Sequence, residues 1–312
     1  MIKQVIKGMA TYVPGAYQML SRKRTGGTDS ARYCYSVWLR HMVMMRKHGS
    51  SAAPRSVAEL GPGDSLGIGL AALLTGSAEY YACDLHQYAN PERDTEILRE
   101  LVSLFRAREP IPGEEEFPRV IPRLDSYEFP SDLLLERGTQ TTWADPRIER
   151  IRWSIENRND EKSVLRYAAP WHDSDVIRTG SVDLVFSQAV LEHVDDLRFT
   201  YRTMYSWLKP HGLMSHSIDF RCHGTADEWN GHWTYSDLTW KAVKGRRLYS
   251  LNREPHSTHL RLLQETGFEP LCDVRTQTPS RLGASDLARR FKNLSEQDLT
   301  TSGTYVQAFR RD

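Results

Sequence analysis

The chain has 312 residues, 39% of them hydrophobic and 26% charged, which fits a globular protein built as one large domain or one domain with an elaborated cap. Its 41 Lys and Arg balance 40 Asp and Glu, leaving a net charge of +1, so composition excludes the strongly basic footprint expected of a nucleic-acid binder. Four cysteines (Cys34, Cys83, Cys222 and Cys272) are scattered with no C-x-x-C pair, which argues against a disulfide framework or a structural zinc site and for a reduced, cytoplasmic compartment.

The first 20 residues carry no long apolar core followed by a small-residue cleavage site, so no signal peptide is expected. No apolar run approaches the roughly 20 residues of a spanning helix, although peripheral contact with a membrane stays compatible. Residues 1 to about 28 read as a basic, irregular lead with SRKR at 21–24. Asp29 or Ser30 caps a helix from Ala31 that ends at Gly49 and sets Tyr35, Trp38, Leu39 and Met42 at helical spacing. Residues 1–55 are thus a lead and capping helix, joined by the linker SSAAPRS to a domain over 56–312.

In that domain Ser56 to Leu60 reads as a buried strand and Ser65 to about Leu74 as a crossover helix. Glu79 to Cys83 is a second strand and 92–108 a helix. Five prolines between 110 and 130 break the rhythm, so 109–145 is expected as an insertion, packed outside or over a pocket. A helix over Asp145 to Glu156 follows, then strands at Val164 to Tyr167 and Val182 to Ser187. A helix spans about Asp196 to Leu208, and Leu213 to Ile218 is a fifth strand. Residues 220–256 form an aromatic, irregular second insertion. Ser257 is expected to cap the next helix, with a strand at Phe268 to Val274, a helix near 284–293 and a last strand at Thr304 to Phe309. This alternation predicts an α/β Rossmann-like, doubly wound sheet of about seven mostly parallel strands, with the insertions as a cap. Ligands of such sheets sit outside the carboxyl ends of the strands.

The string VAELGPGDSLG, Val57 to Gly67, places Gly61, Pro62 and Gly63 at such an end. Glycines there turn sharply and let backbone approach a ligand closely. The dinucleotide pattern G-x-G-x-x-G fails at Leu66. Glu59 sits inside an apolar strand, where a carboxylate is costly unless paired. About 20 residues on, YYACDL ends in Asp84 and Leu85, placing a carboxylate for a nucleoside ribose.

Glu59-x-Gly61-x-Gly63 resembles the E/D-x-G-x-G-x-G signature of class I S-adenosylmethionine-dependent methyltransferases, with Ser65 in place of the third glycine. VDLVFSQAVLEHV (Val182 to Val194) and WLKPHGLMSHSIDF (Trp207 to Phe220) are similar to the fourth and fifth strands of the same superfamily. The resemblance implies that S-adenosyl-L-methionine is the cofactor. It assigns Asp84 and Leu85 to the ribose, Glu59, Gly61, Pro62, Gly63 and Ser65 to the turn, and Ser187 and Gln188 to the methionine end. After strand three the chain reads YAAPWHD, so Asp173 lies late for an adenine contact, and Trp171 is the alternative. Arg32 and Tyr35 are further possible cofactor contacts.

For an alcohol acceptor a base is needed. His193 and Asp219 are candidates by position, and His216 is a third, read as sharing the face of Asp219. His223, Asp227, His232 and Asp237 invite a metal reading, but their spacing fits no zinc pattern, and no metal is expected. The Trp-rich stretch around them is expected to cover an acceptor. The order of motifs also looks like methyltransferase-like proteins of bacterial polysaccharide or natural-product clusters. O-methylation of a sugar, glycan or related small molecule is therefore the leading expectation, without nucleic acid. An aromatic or amine acceptor, and a non-catalytic cofactor-binding module, are the alternatives.

Overall fold

The computed structural model describes residues 2–13, 26–49, 53–135, 143–171, 173–247 and 249–311. The basic string at 21–24 and the start of the linker lie outside them. Helix α1 (Ile2–Ala10) forms where the sequence suggested an irregular lead. Tertiary contact supplies it: Val5 packs on Tyr235, Trp240, Val243 and Leu251. Helix α2 (Ala31–Lys47) starts as expected, with Ser30 Oγ accepting the Tyr33 N–H at 3.3 Å. It shares one core with β1 (Ser56–Leu60) and α3 (Gly67–Leu74).

The remaining elements are β2 (Glu79–Cys83), α4 (Pro91–Ala107), α5 (Ser131–Leu135), α6 (Asp145–Glu156), β3 (Leu165–Ala168), β4 (Val182–Gln188), α7 (Leu197–Trp207), β5 (Leu208–Asp219), α8 (Asp237–Lys244), α9 (His256–Thr266), β6 (Phe268–Gln277), α10 (Glu296–Thr300) and β7 (Thr301–Arg310). They form a seven-stranded sheet in the order β3-β2-β1-β4-β5-β7-β6. Only β7 runs antiparallel to its neighbours, so the Rossmann-like α/β sheet expected from the sequence is present. All five residues of β1 are buried, as a central parallel strand requires. Alternate residues serve two cores: Leu184, Phe186 and Leu213 on one face, Val185, Met214 and Ile218 on the other. The order reverses between β1 and β4, which opens the crevice at their carboxyl ends.

The first insertion lies on the outside of α2. Arg40, 1% exposed, donates from its guanidinium to the carbonyls of Pro112 at 3.1 Å and Pro122 at 2.5 Å and to the Tyr127 hydroxyl at 3.2 Å. Arg32 pairs with Glu116 at 2.7 Å and the Tyr35 hydroxyl donates to the Glu109 carbonyl at 2.7 Å. Both side chains therefore bind the insertion, which corrects their assignment to the cofactor.

The second insertion builds small cores of its own. Trp233, Tyr235 and Trp240 are buried in them, so these three rings fill the insertion's own cores and are not exposed to an acceptor. The helix expected near 284–293 is reduced to a short turn at Arg289–Phe291. There the Ala288 N–H donates to the Trp233 carbonyl at 3.0 Å, and docking on the cap replaces the helical ladder. Helix α9 starts at His256 after Pro255, and the Ser257 N–H and hydroxyl bond Asp298, each at 2.9 Å, so Ser257 is not the cap. No helix among the described residues is long and apolar enough to cross a membrane.

Gly69 in α3 is a sterically fixed position beneath the crevice. A Cβ there would lie 2.0 Å from the Tyr80 ring, and that ring is anchored by its own hydroxyl. Gly69→Ala should cost about 1–3 kcal/mol by overpacking. A lowered thermal midpoint checks this; an unchanged midpoint would show that the ring moves freely.

Candidate active site

Two turns meet at the crevice. After β1, Gly61 and Gly63 have φ of +63° and +76°, a region L side chains avoid. A Cβ on Gly61 would also come within 2.7 Å of Val190. After β2, Asp84 is 5% exposed. Its Oδ2 accepts the Gly63 N–H at 3.2 Å and its Oδ1 the Leu85 N–H at 2.7 Å. Burial raises the Asp84 carboxyl, and the N–H groups of Gly63, Leu85 and His86 oppose that rise. Leu85 is exposed beside it, and Pro62 is buried in the turn.

Glu59 lies in the layer beneath. It is 1% exposed, the Tyr80 hydroxyl donates to its Oε2 at 2.5 Å, and the Gly69 N–H also reaches it. It ties β1 to β2 and α3, so it supports the turn from below. Burial pushes its carboxyl up to about 8, with the Tyr80 and Gly69 hydrogen bonds opposing. The sign follows: a folded-state pKa above the unfolded one gives stability that is full below about 4.5 and lost as pH rises through about 8. The thermal midpoint of Glu59→Gln minus that of the wild type should therefore grow from pH 5 to pH 8.5. A constant difference would mean that Glu59 does not titrate in this way.

Ser65 also turns inward. Its hydroxyl donates to the Thr28 carbonyl and accepts the Gly67 N–H at 3.1 Å. It is 1% exposed, so it anchors the segment before α2 to the glycine turn and offers nothing to a ligand. Ser187 is likewise corrected. It is fully buried, and its hydroxyl lies 2.7 Å from His216 Nδ1. Gln188, the next residue, lies on the opposite face at the carboxyl end of β4. Its Nε2 donates to Ser217 Oγ at 3.2 Å, while its buried Oε1 has no partner.

At the end of β5, Asp219 meets His223. Oδ2 lies 3.2 Å from His223 Nε2, and Oδ1 accepts the Arg221 backbone N–H at 2.9 Å and its guanidinium at 3.3 Å. Burial alone would raise the Asp219 carboxyl, but His223 and then Arg221 hold it below the usual range. The ring of His193 stands 5.2 Å from that of His223 and 6.2 Å from that of Tyr249. Burial, then the neighbouring His223, lowers His193 to about 4. Its position is set by Asn252, whose Nδ2 donates to the carbonyls of Leu191 at 2.7 Å and Val194 at 2.9 Å.

His216 is not part of this group. It precedes Asp219 by three residues, and an odd separation puts it on the opposite strand face. Fully buried beside Ser187, it is lowered to about 3 by burial, which removes it as a base. Tyr249 packs on Tyr88 and His86 at 6.0 and 6.2 Å and so bridges from the Asp84 turn to His193. Trp171 stacks on Phe199 at 6.3 Å and tilts against Trp207 at 5.4 Å, and Asp173 caps a short turn by accepting the Asp175 N–H. Both adenine candidates are thereby committed elsewhere.

Residues 113–273, a little over half of the chain, match the family described as Methyltransferase domain. The chain belongs to this methyltransferase domain family. No curated protein matches the sequence. Solved structures similar to the methyltransferase include a S-adenosylmethionine dependent methyltransferase from Mesorhizobium loti (TM-score 0.41, 16% identity, 91% of this chain and 100% of that chain). Others are geranyl diphosphate C-methyltransferase from Streptomyces coelicolor A3(2) (TM-score 0.44, 12% identity, 86% and 77%) and phosphoethanolamine N-methyltransferase 2 from Haemonchus contortus (TM-score 0.42, 14% identity, 91% and 57%).

The crevice of the methyltransferase has features that would suit S-adenosylmethionine. The turn at Gly61 and Gly63 has no side chains to block approach. The Asp84 carboxylate can accept from a diol, and the orphaned Gln188 Oε1 can accept from an ammonium. Sequence reasoning did not single out Glu192, Tyr88 or Asn252, and it met His223 only as a metal candidate. Asp227, His232 and Asp237 are not in the group of ligand atoms around His223: His232 is buried against Trp233, near enough to feel the charges of His223 and Asp219, and Asp237 pairs with Arg253. The spacing of Asp219 and His223 across a strand end and a tight turn at Gly224 (φ +75°) was the available signal.

Proposed function

We propose that this enzyme methylates a hydroxyl oxygen of a sugar, glycan or related small molecule. The His223–Asp219 pair at the end of β5 carries the proposal. A hydroxyl has a proton to lose as it attacks, whereas a neutral amine is already a nucleophile. Arg221, Asp219 and His223 make this end polar, as a polyol needs. Trp233, Tyr235 and Trp240 of the neighbouring insertion are buried in its own cores, which disfavours a flat aromatic acceptor.

When bound, S-adenosylmethionine supplies a methyl group already activated on sulfonium. Asp84 accepts hydrogen bonds from the ribose hydroxyls, and Gln188 Oε1 accepts from the ammonium. Gly61 and Gly63 let the backbone close on the ligand, with Pro62 and Leu85 beside them. The residues then hold donor and acceptor in line, which is most of the catalytic task. His223 Nδ1 takes the acceptor proton while Asp219 holds the ring at Nε2. His193 forms the adjoining wall. The free thiols Cys34, Cys83, Cys222 and Cys272 fit a reduced cytoplasmic compartment, and polysaccharide or natural-product assembly is the setting such an acceptor suggests.

Transfer of labelled methyl groups to a panel of sugar nucleotides, glycans, phenols and amines tests the reading. Label on a sugar hydroxyl is expected. Label confined to phenols or amines would contradict it.

A further inference from the structure

We propose that Glu192, His193 and His223 bind a divalent transition-metal cation at the acceptor end of the crevice. One ligand atom from each lies within 4.8 Å of the other two. Donors around a six-coordinate ion at about 2.1 Å stand about 3–4.2 Å apart, so small side-chain rotations close the site.

Glu192 supplies the strongest reason. It is 2% exposed, and its carboxylate meets no hydrogen-bonding side chain, only the backbone N–H groups of Glu192 itself and of Asp219. Ionised, such a group has only backbone dipoles in place of water; protonated, its O–H has no side-chain acceptor. A cation removes both costs. His193 Nδ1 is also buried and unpartnered. His223 directs Nε2 at Asp219 Oδ2, and the neutral tautomer that donates from Nε2 would offer its Nδ1 lone pair to an ion. A ligating imidazole whose other N–H meets a carboxylate is the usual second shell of such sites. Asn252 fixes the Leu191–His193 turn through two hydrogen bonds and accordingly pre-positions two of the three ligands.

Two imidazoles and one carboxylate favour Mn²⁺, Co²⁺ or Zn²⁺ over Mg²⁺ and Ca²⁺, which prefer all-oxygen sets. A six-coordinate ion held by three residues would keep positions open to a further ligand. An acceptor hydroxyl held there would be oriented and acidified, with its proton leaving to water. The inference rests on reading this cluster as the acceptor end. With the ion bound, His223 Nδ1 is a ligand and the ion acidifies the hydroxyl in place of the imidazole; without it, His223 is the base.

The test is calorimetric titration of the chelator-treated full chain with MnCl2, ZnCl2 and MgCl2, with Mn²⁺ also followed by its electron spin resonance. One equivalent of Mn²⁺ or Zn²⁺ is expected, with Mg²⁺ weaker. Affinity should drop at least about tenfold in Glu192→Gln and in His223→Asn. His223 is partly exposed, so its variant should keep the wild-type thermal midpoint. No binding, or binding unchanged in both variants, overturns the site. If no cation binds but His223→Asn still abolishes turnover, the metal fails and the imidazole base stands. If Mn²⁺ binds at these residues but chelation leaves sugar methylation intact, the site stands and the ion has no part in removing the acceptor proton.

Discussion

Replacing His223 by alanine should lower the turnover number by about 10²–10⁴-fold, the usual contribution of a positioned base. The effect is expected on the chemical step, because His223 lies at the end of β5 beside Asp219, apart from Asp84, the carboxylate proposed for the ribose. Affinity for S-adenosylmethionine should stay close to wild type. The side chain is 36% exposed, so its removal leaves no sealed cavity. Asp219 keeps its bonds to the Arg221 N–H and guanidinium, so stability should change little. Single-turnover kinetics separate this from slow product release. A loss below about tenfold would mean that the acceptor proton leaves by another route.

Replacing Asp84 by alanine should weaken S-adenosylmethionine binding by about 1.5–3 kcal/mol, or about 10–150-fold, the range for hydrogen bonds to a charged group. The same carboxylate accepts the N–H groups of Gly63 and Leu85. Part of the loss will therefore come from a loosened turn, and Asp84→Asn is the informative companion. It keeps an acceptor for the turn but loses the charge, so its affinity should fall between the other two. Calorimetry with S-adenosylhomocysteine reads both variants without turnover. Equal affinity in all three proteins would remove Asp84 from the ribose.

What the sequence revealed depended on how local the information was. The strand, turn and carboxylate from Val57 to Asp84 were legible because β1, α3 and β2 are consecutive and their apolar pattern is simple. The role of Glu59 was not, since Tyr80, which bonds it, comes from the neighbouring strand. Ser187 and His216 lie on the inner face of the sheet, and the parity of residues along β5 decides that. A pair 29 residues apart becomes a contact only once β4 and β5 align in register. Glu192 and His223 come from different loops, and nothing in spacing joins them. The Trp-rich insertion misled because large aromatic rings signal burial as readily as ligand contact, and here three of them fill small cores.

The most direct measurement of how the crevice works is a crystal structure with S-adenosylhomocysteine bound. The ribose hydroxyls should lie at hydrogen-bond distance from Asp84, about 2.5–2.9 Å, with the ammonium at Gln188 Oε1 and the sulfur open toward His223 and Asp219. A ribose away from Asp84, or a sulfur turned from His223, would contradict that assignment.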